Sequence, residues 1–308
     1  MQDRDDQIGY PGAAGPDRRY QVDAFGLGIA VHEWGRADDP PLFLVHGGFD
    51  FARTFDVFAP KLAAGGWRVV SWDHRGHGDS DHAALYNWDA DLRDALTVID
   101  SVTAPLGGPP TPIVGHSKGG GLTLQLCNAQ PHRFTHVVNI DGIPSRRPMP
   151  DVADHDRARM VMGEATAWLD YRRSTAARER RAGTLAGLAE RRGRMNPRLD
   201  RHWLQYLVTV GARHDPDGWR WKLDPSMKFG GFGPWRPEWM MRQISSITVP
   251  LLGLLATAEE PMGWGTRVAD LQPLLPHRAR IEVMDGIGHF IHIEQPDLVA
   301  AMILDFVS

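Results

Sequence analysis

The residues Gly115-His116-Ser117-Lys118-Gly119 follow a short apolar run at 112–114 and lead straight into a segment with helical spacing. A serine between two glycines at a strand-to-helix turn has the pattern of a nucleophile elbow. The strained turn lifts the hydroxyl clear of the backbone, and the residues two before and two after must be small for the chains to close. A serine hydroxyl is a poor nucleophile near neutral pH, so this pattern does chemistry only with a base to take its proton and donors to hold the oxyanion. Two other stretches carry such residue types. His46-Gly47-Gly48-Phe49 ends an apolar run with glycines that let the backbone turn and aim amide hydrogens at a bound oxygen. Asp285-Gly286-Ile287-Gly288-His289-Phe290 puts a histidine on the loop before the last helix.

Positioning these residues requires a scaffold, and the pattern of the chain supplies one. Residues 20–25 and 29–34 alternate like a hairpin around Gly26-Leu27-Gly28. Short apolar runs at 42–45, 68–72, 112–114, 136–140, 249–255 and 280–284 are separated by stretches long enough for helices, as in a mostly parallel sheet covered on both faces. Segment 88–102 sets Leu92, Ala95, Leu96 and Ile99 on one stripe, and 298–307 predicts a terminal helix. Between 143 and 246 the alternation stops and Arg, Trp and Met recur at helical spacing, which predicts an inserted helical cap. The expected organisation is a flexible segment 1–19, a core in two parts (20–142 and 247–308), and the cap at 143–246.

Composition narrows the class. The 308 residues, 42% hydrophobic and 23% charged with a net charge of −4, fit a globular protein without general affinity for nucleic acid phosphates. The N-terminus has no basic start followed by an apolar run, and no stretch is long enough to span a bilayer, so a cytoplasmic location away from membranes is expected. The single cysteine, Cys127, lies among apolar residues and reads as core packing. The histidines show no Cys/His/carboxylate spacing of a zinc site, so neither a metal nor a cofactor is expected.

The ordered set of His46-Gly47-Gly48, the loop Asp73-His74-Arg75-Gly76-His77-Gly78-Asp79-Ser80, the elbow, Glu259-Glu260 and the His289 loop resembles the α/β-hydrolase family, from Tyr20 to Ser308. The resemblance implies a mostly parallel eight-stranded sheet with helices on both faces. It implies that Ser117 attacks a carbonyl and His289 takes its proton. The amide of Lys118 would form half of the oxyanion hole and Gly48 the other half, with Phe49 next in line. Family members usually place the acid in Gly-x-x-Asp after the strand at 249–255. This chain reads Ala256-Thr257-Ala258-Glu259-Glu260-Pro261 there, so spacing favours Glu259, with Glu260 beside it. Asp141, at the end of the strand 136–140, is the alternative.

His46, Asp73, Arg75 and His77 read as loop-fixing residues. Lys118 reads as solvated or ion-paired, and a sharper reading lets it attract an anionic acyl group. The cap residues Trp168, Trp203, Trp219, Trp221, Trp235, Trp239, Met160, Met162, Met195, Met227, Met240 and Met241 read mostly as packing, the remainder as walls of an apolar pocket. The expected activity is hydrolysis of a carboxylic ester, lactone or thioester of a small to medium, largely apolar substrate through an acyl-enzyme. A carbon-carbon bond hydrolase, an acyltransferase, or a ligand-binding protein with a weakened triad are the alternatives. The partner expected is a small-molecule substrate, and a homodimer is left open.

Overall fold

Every residue of the strands at Pro41–Val45 and Thr111–His116 is buried, as strands covered on both faces must be. The computed structural model describes residues 8–144, 154–175, 178–227 and 237–308. In chain order the strands are β1 (Arg18–Asp23), β2 (Gly28–Trp34), β3 (Pro41–Val45), β4 (Arg68–Trp72), β5 (Thr111–His116), β6 (Phe134–Ile140), β7 (Ala212–Asp215), β8 (Gly218–Trp221), β9 (Leu251–Ala256) and β10 (Ala279–Met284). Eight of them form one sheet in the order β1-β2-β4-β3-β5-β6-β9-β10, which is the eight-stranded α/β-hydrolase sheet expected. β1 pairs with β2, and β2 with β4, antiparallel; the remaining pairs are parallel.

Side-chain alternation sends Leu42 and Leu44 to one face and Phe43 and Val45 to the other, so two apolar cores form. One core packs helices α2 (Trp88–Thr103) and α3 (Lys118–Ala129) on the sheet through Val98, Ile99, Leu122 and Leu126. The opposite core uses α1 (Ala59–Ala64) and the C-terminal helix through Leu62, Ile303 and Val307. Asn87 caps α2 by accepting from the Ala90 amide at 2.9 Å, and Asp89 and Asp91 in the first turn suit the positive end of the helix.

The inserted segment contains α4 (Asp154–Thr175), α5 (Leu185–Met195) and α6 (Arg201–Gly211), and α7 (Pro237–Ile244) packs on the main core through Met241 and Ile244. The segment also contains the antiparallel hairpin β7-β8, which corrects the expectation of a purely helical insertion. The signal for it was present: Pro216-Asp217-Gly218 makes a turn closed by Gly218 at φ 128°, and Trp219 and Trp221 are strand formers. Trp203, Leu204, Leu207 and Val208 of α6 form the cap's own core with Leu188 and with Phe51 and Phe290 of the main body. Two short helices, α8 (Val268–Leu271) and α9 (Ile291–Glu294), and the C-terminal helix α10 (Pro296–Val307) follow.

The segment expected to be flexible up to residue 19 is partly fixed. The Ala14 amide donates to Asp56 O at 2.8 Å, Trp34 Nε1 donates to Ala14 O at 2.9 Å, and Tyr10 packs edge-on against Trp203 at 4.9 Å. β1 accordingly begins at Arg18, while residues 1–7 lie outside the described residues. No helix among the described residues is long and apolar enough to cross a membrane.

The approach of α3 to the end of β3 sets a steric limit. A β-carbon on Gly119 would stand 2.2 Å from the Val45 carbonyl oxygen and 2.6 Å from that of His46, both backbone atoms. Gly119→Ala should therefore cost about 1–3 kcal/mol and lower the urea midpoint. Gly163→Ala, in open space on α4, should be neutral or stabilising by up to about 1 kcal/mol.

Candidate active site

β5 delivers His116 to the sheet edge and α3 begins at Lys118, so the turn between them falls on one residue, Ser117, at φ 52° and ψ −120°. A non-glycine residue held there costs on the order of 1–3 kcal/mol and persists only because its surroundings fix it. The Ser117 amide donates to Ile140 O at 3.0 Å, and the Ser117 carbonyl accepts from the Gly121 amide at 3.1 Å. Ser117 is half-buried at the base of a pocket.

Beside it lies the loop after β3. Its glycine at 48 faces the side chain of Lys118, and a β-carbon there would stand 3.7 Å from Lys118 Cδ. The amides of Gly48 and Lys118 donate to no acceptor among the described residues, whereas the Phe49 amide is spent on His77 Nε2 at 3.2 Å. Gly48 and Lys118 therefore offer the free donors, and Phe49 does not.

Three buried histidines hold this loop, and their tautomers follow from their partners. The His74 amide donates to His46 Nε2 at 3.0 Å, so the His46 proton is on Nδ1, which donates to Gly47 O at 2.7 Å. His77 accepts from the Phe49 amide on Nε2 and donates from Nδ1 to Arg75 O at 3.0 Å. His74 Nε2 donates to His46 O at 3.1 Å. Burial first, and then the charges of neighbouring histidines, lower the pKa of His46 well below the usual range; burial and then the Lys118 charge do the same to His74. His77 is lowered to about 4 by burial and Lys118. All three stay neutral near pH 7, as the network requires.

Behind them the Asp73 carboxylate accepts from the amides of Ala52 (2.7 Å) and Asp79 (2.8 Å) and from His32 Nε2 (3.2 Å). Burial alone would raise its pKa, but the hydrogen bonds from His32 and the Ala52 amide hold it at about 2. Arg75 is bound through Nε and Nη2 to Asp94 at 2.6 and 2.7 Å. His32, Asp73 and Asp79 bring ligand-type atoms within 4.8 Å of one another. The Asp73 oxygens, however, already accept amide hydrogens and Asp79 bonds Lys222 Nζ at 2.6 Å, so these groups are spent as loop fasteners.

His289 Nδ1 lies 2.6 Å from Asp141 Oδ2, with both side chains about 1% exposed. The other Asp141 oxygen accepts from the Ala256 amide at 3.1 Å, and the Asp141 amide donates to Leu254 O at 2.8 Å. A carboxylate in that position accepts, so Nδ1 carries the ring proton and Nε2 is left as an acceptor. Glu259, favoured by spacing, is exposed and forms no hydrogen bond to His289, whereas Asp141 does. β6 is the immediate neighbour of β5, so the residue after β6 falls beside the elbow, whereas the loop after β9 starts one strand further out. Glu260 has a different place, its Oε2 accepting the backbone amide of His289 at 2.6 Å. His116 Nε2 in turn donates to His289 O at 3.0 Å, which ties the histidine loop to the residue before Ser117. The Ser117 hydroxyl and His289 are not hydrogen-bonded to each other in this arrangement.

The pocket over Ser117 has a volume of about 120 Å³, with apolar walls from Phe49, Tyr86, Trp88, Met227, Met240, Met262 and Trp264. Of the cap residues singled out by sequence, Met227 and Met240 reach it. Trp203 is in the cap core, Trp168 packs with Tyr86 and Met227, and Met241 lies in the main core. Trp219 and Trp221 are half-buried on the hairpin and Met160 half-buried on α4, while Met162 and Met195 are exposed. Trp235 and the side chain of Trp239 lie outside the described residues. Sequence reasoning missed Met262 and Trp264, although two large apolar residues between glycines in Pro261-Met262-Gly263-Trp264-Gly265 were a signal for it. Lys118 Nζ is bonded to Asp91 Oδ2 at 2.7 Å and lies 5.8 Å from the centre of the Trp88 ring, so the reading of an ion-paired lysine holds.

The family described as serine aminopeptidase, S33, matches residues 38–296, and the chain belongs to this family of α/β hydrolases. Over 120 residues, 38% of this chain and 33% of the relative's length, it is 32% identical to a serine hydrolase-like protein of Dictyostelium discoideum. It is 25% identical over 275 residues, 89% of this chain and 83% of the other, to the sn-1-specific diacylglycerol lipase ABHD11 of Mus musculus. The solved thioesterase domain from the curacin biosynthetic pathway shares the fold, with a TM-score of 0.78 and 24% identity, and covers 94% of this chain and 99% of its own.

The neutral histidines make stability depend on pH. An unfolded histidine takes a proton below about 6.5, whereas folded His77 refuses one until about 4. The unfolded state therefore binds more protons in that window, and stability falls as pH drops through it, by roughly 3 kcal/mol from this residue. Urea titrations from pH 7 to pH 4 should show the loss. His77→Gln, which keeps an acceptor for the Phe49 amide, should flatten the slope; an unchanged slope would contradict the assignment.

Proposed function

We propose that the protein is a serine esterase that cleaves carboxylic esters, or the related lactones and thioesters, of small to medium, largely apolar acyl groups. The observation that carries this reading is the buried 2.6 Å hydrogen bond between Asp141 and His289, beside a serine held at φ 52°. In the proposed mechanism Ser117 Oγ gives its proton to His289 Nε2 and attacks the carbonyl carbon, while Asp141 keeps the imidazole in the required tautomer and stabilises its cationic form. The amides of Gly48 and Lys118 take the developing oxyanion, each worth about 3 kcal/mol of transition-state stabilisation. His289 then protonates the departing alcohol, and water attacks the acyl-enzyme with His289 again as base. The hydrogen bond from Ser117 to His289 has to form with substrate bound, as catalytic hydrogen bonds often do.

The apolar walls support an apolar acyl group, and the lipase activity in the name of the mouse relative is in keeping with that. The ion pair between Lys118 and Asp91 argues against selection of an anionic acyl group, because the lysine charge is already matched. The alternative of a ligand-binding protein rested on the missing Gly-x-x-Asp; with Asp141 on His289 it loses that basis.

A fluorophosphonate probe should label Ser117 stoichiometrically and leave Ser117→Ala unlabelled; labelling of a folded Ser117→Ala would refute the assignment. Asp141→Asn should lower kcat on a nitrophenyl ester by about 10⁴-fold, while Glu259→Gln leaves it within about twofold. The reverse ranking would return the acid to the loop after β9.

A further inference from the structure

A second cavity, of about 390 Å³, lies between His82 and the cap, and none of its lining residues lines the pocket over Ser117. Its walls carry five cations, Arg172, Arg178, Arg180, Arg213 and Lys222, against two acids, Glu179 and Asp224. Several of these charges are matched. Lys222 is paired with Asp79 at 2.6 Å, Arg213 with Asp215 at 3.0 Å, and Glu179 with Arg220 at 3.7 Å.

Three guanidinium groups are left. Arg180 donates from Nε to Leu223 O at 3.2 Å and from Nη2 to Asp224 O at 2.9 Å, and Arg172 donates from Nη1 to Ala83 O at 2.8 Å. These partners are carbonyls, and Arg172 also lies 5.4 Å from the centre of the Trp168 ring, so each guanidinium is held in place with no bonded carboxylate among the described residues. Arg178 is exposed and has no carboxylate partner among the described residues. Burial lowers the pKa of Arg180, and Tyr171 and the Asp224 carboxylate oppose that shift only in part. Asp224 is occupied elsewhere, accepting from the Ser226 amide at 2.7 Å, from Ser226 Oγ at 2.8 Å and from the Tyr86 hydroxyl. Among the lining residues the guanidinium groups of Arg172, Arg178 and Arg180 outnumber this one acid, so the cavity favours an anion with several acceptor oxygens.

We infer that this cavity is a phosphate-binding subsite, in which Arg172, Arg178 and Arg180 present guanidinium forks to the oxygens of a phosphate group. The assignment does not rest on the esterase reading. The two cavities nevertheless share a wall: Tyr86 and Met227 line the pocket over Ser117, and both bond to Asp224, Met227 through its amide at 3.1 Å. A phosphate here could belong to a substrate whose ester end reaches Ser117, or be a free anion.

Isothermal titration of the full chain with inorganic phosphate, at fixed ionic strength and with chloride as the reference anion, tests the site directly. The wild type should bind one phosphate, and Arg180→Gln and Arg178→Gln should each weaken binding by about tenfold. Arg178 is exposed, so its variant keeps the test decisive should Arg180→Gln fold poorly. Absence of phosphate binding by the wild type, or wild-type affinity in both folded variants, overturns the inference. Phosphate added to assays of an uncharged nitrophenyl ester and of a phosphate-bearing ester then separates the sources. A raised KM for the phosphorylated ester alone supports a substrate headgroup, and an unchanged KM for both supports a free anion held at the same site. Because the titration needs no turnover, its failure is distinct from a failure of the esterase reading.

Discussion

The hydrogen bond between Asp141 and His289 is the constraint on which the site depends. It joins the end of a central strand to a loop near the C-terminus, 148 residues away in sequence, and it is buried from water. Burying a carboxylate is costly unless its oxygens are satisfied. Here one oxygen takes the imidazole and the other takes the Ala256 amide. That arrangement fixes the imidazole tautomer and leaves Nε2 as an acceptor.

The surrounding structure is organised to hold that geometry. The His289 backbone is pinned twice, its amide by Glu260 and its carbonyl by His116, the residue before Ser117. Across the pocket, neutral histidines and Asp73 fix the glycine loop so that the Gly48 amide remains free beside the Lys118 amide. Strain at Ser117 is sustained by hydrogen bonds to Ile140 and Gly121 on either side of it. Burial acts in opposite senses on these groups. It keeps His46, His74 and His77 uncharged, while hydrogen bonds keep Asp73 ionised despite it.

Much of this was legible in the sequence because it is local. The Gly-His-Ser-Lys-Gly turn, the glycines after His46 and the apolar runs of the sheet are written in consecutive residues, and the expected strands and helices fall within a few residues of those observed. Which carboxylate meets the His289 ring was not legible, because the loops after β6 and β9 both reach His289, Asp141 at the ring and Glu260 at the backbone amide, and spacing along the chain does not say which takes the ring. Glu259 had the expected spacing, yet its side chain is exposed and Asp141 holds the ring. The β7-β8 hairpin was missed for another reason: its Asp-Gly turn lies inside an Arg- and Trp-rich stretch whose composition reads as helix. Met262 and Trp264 were missed because a loop has no periodicity to show which way its side chains point.

The most direct test of this account is a crystal structure of the adduct formed by a small alkyl phosphonate. The phosphorus should be bonded to Ser117 Oγ, with its oxygen about 2.7–3.1 Å from the amides of Gly48 and Lys118, and His289 Nδ1 should remain on Asp141. A phosphonyl oxygen pointing away from those two amides, or an imidazole turned to Glu259 or Glu260, would contradict it.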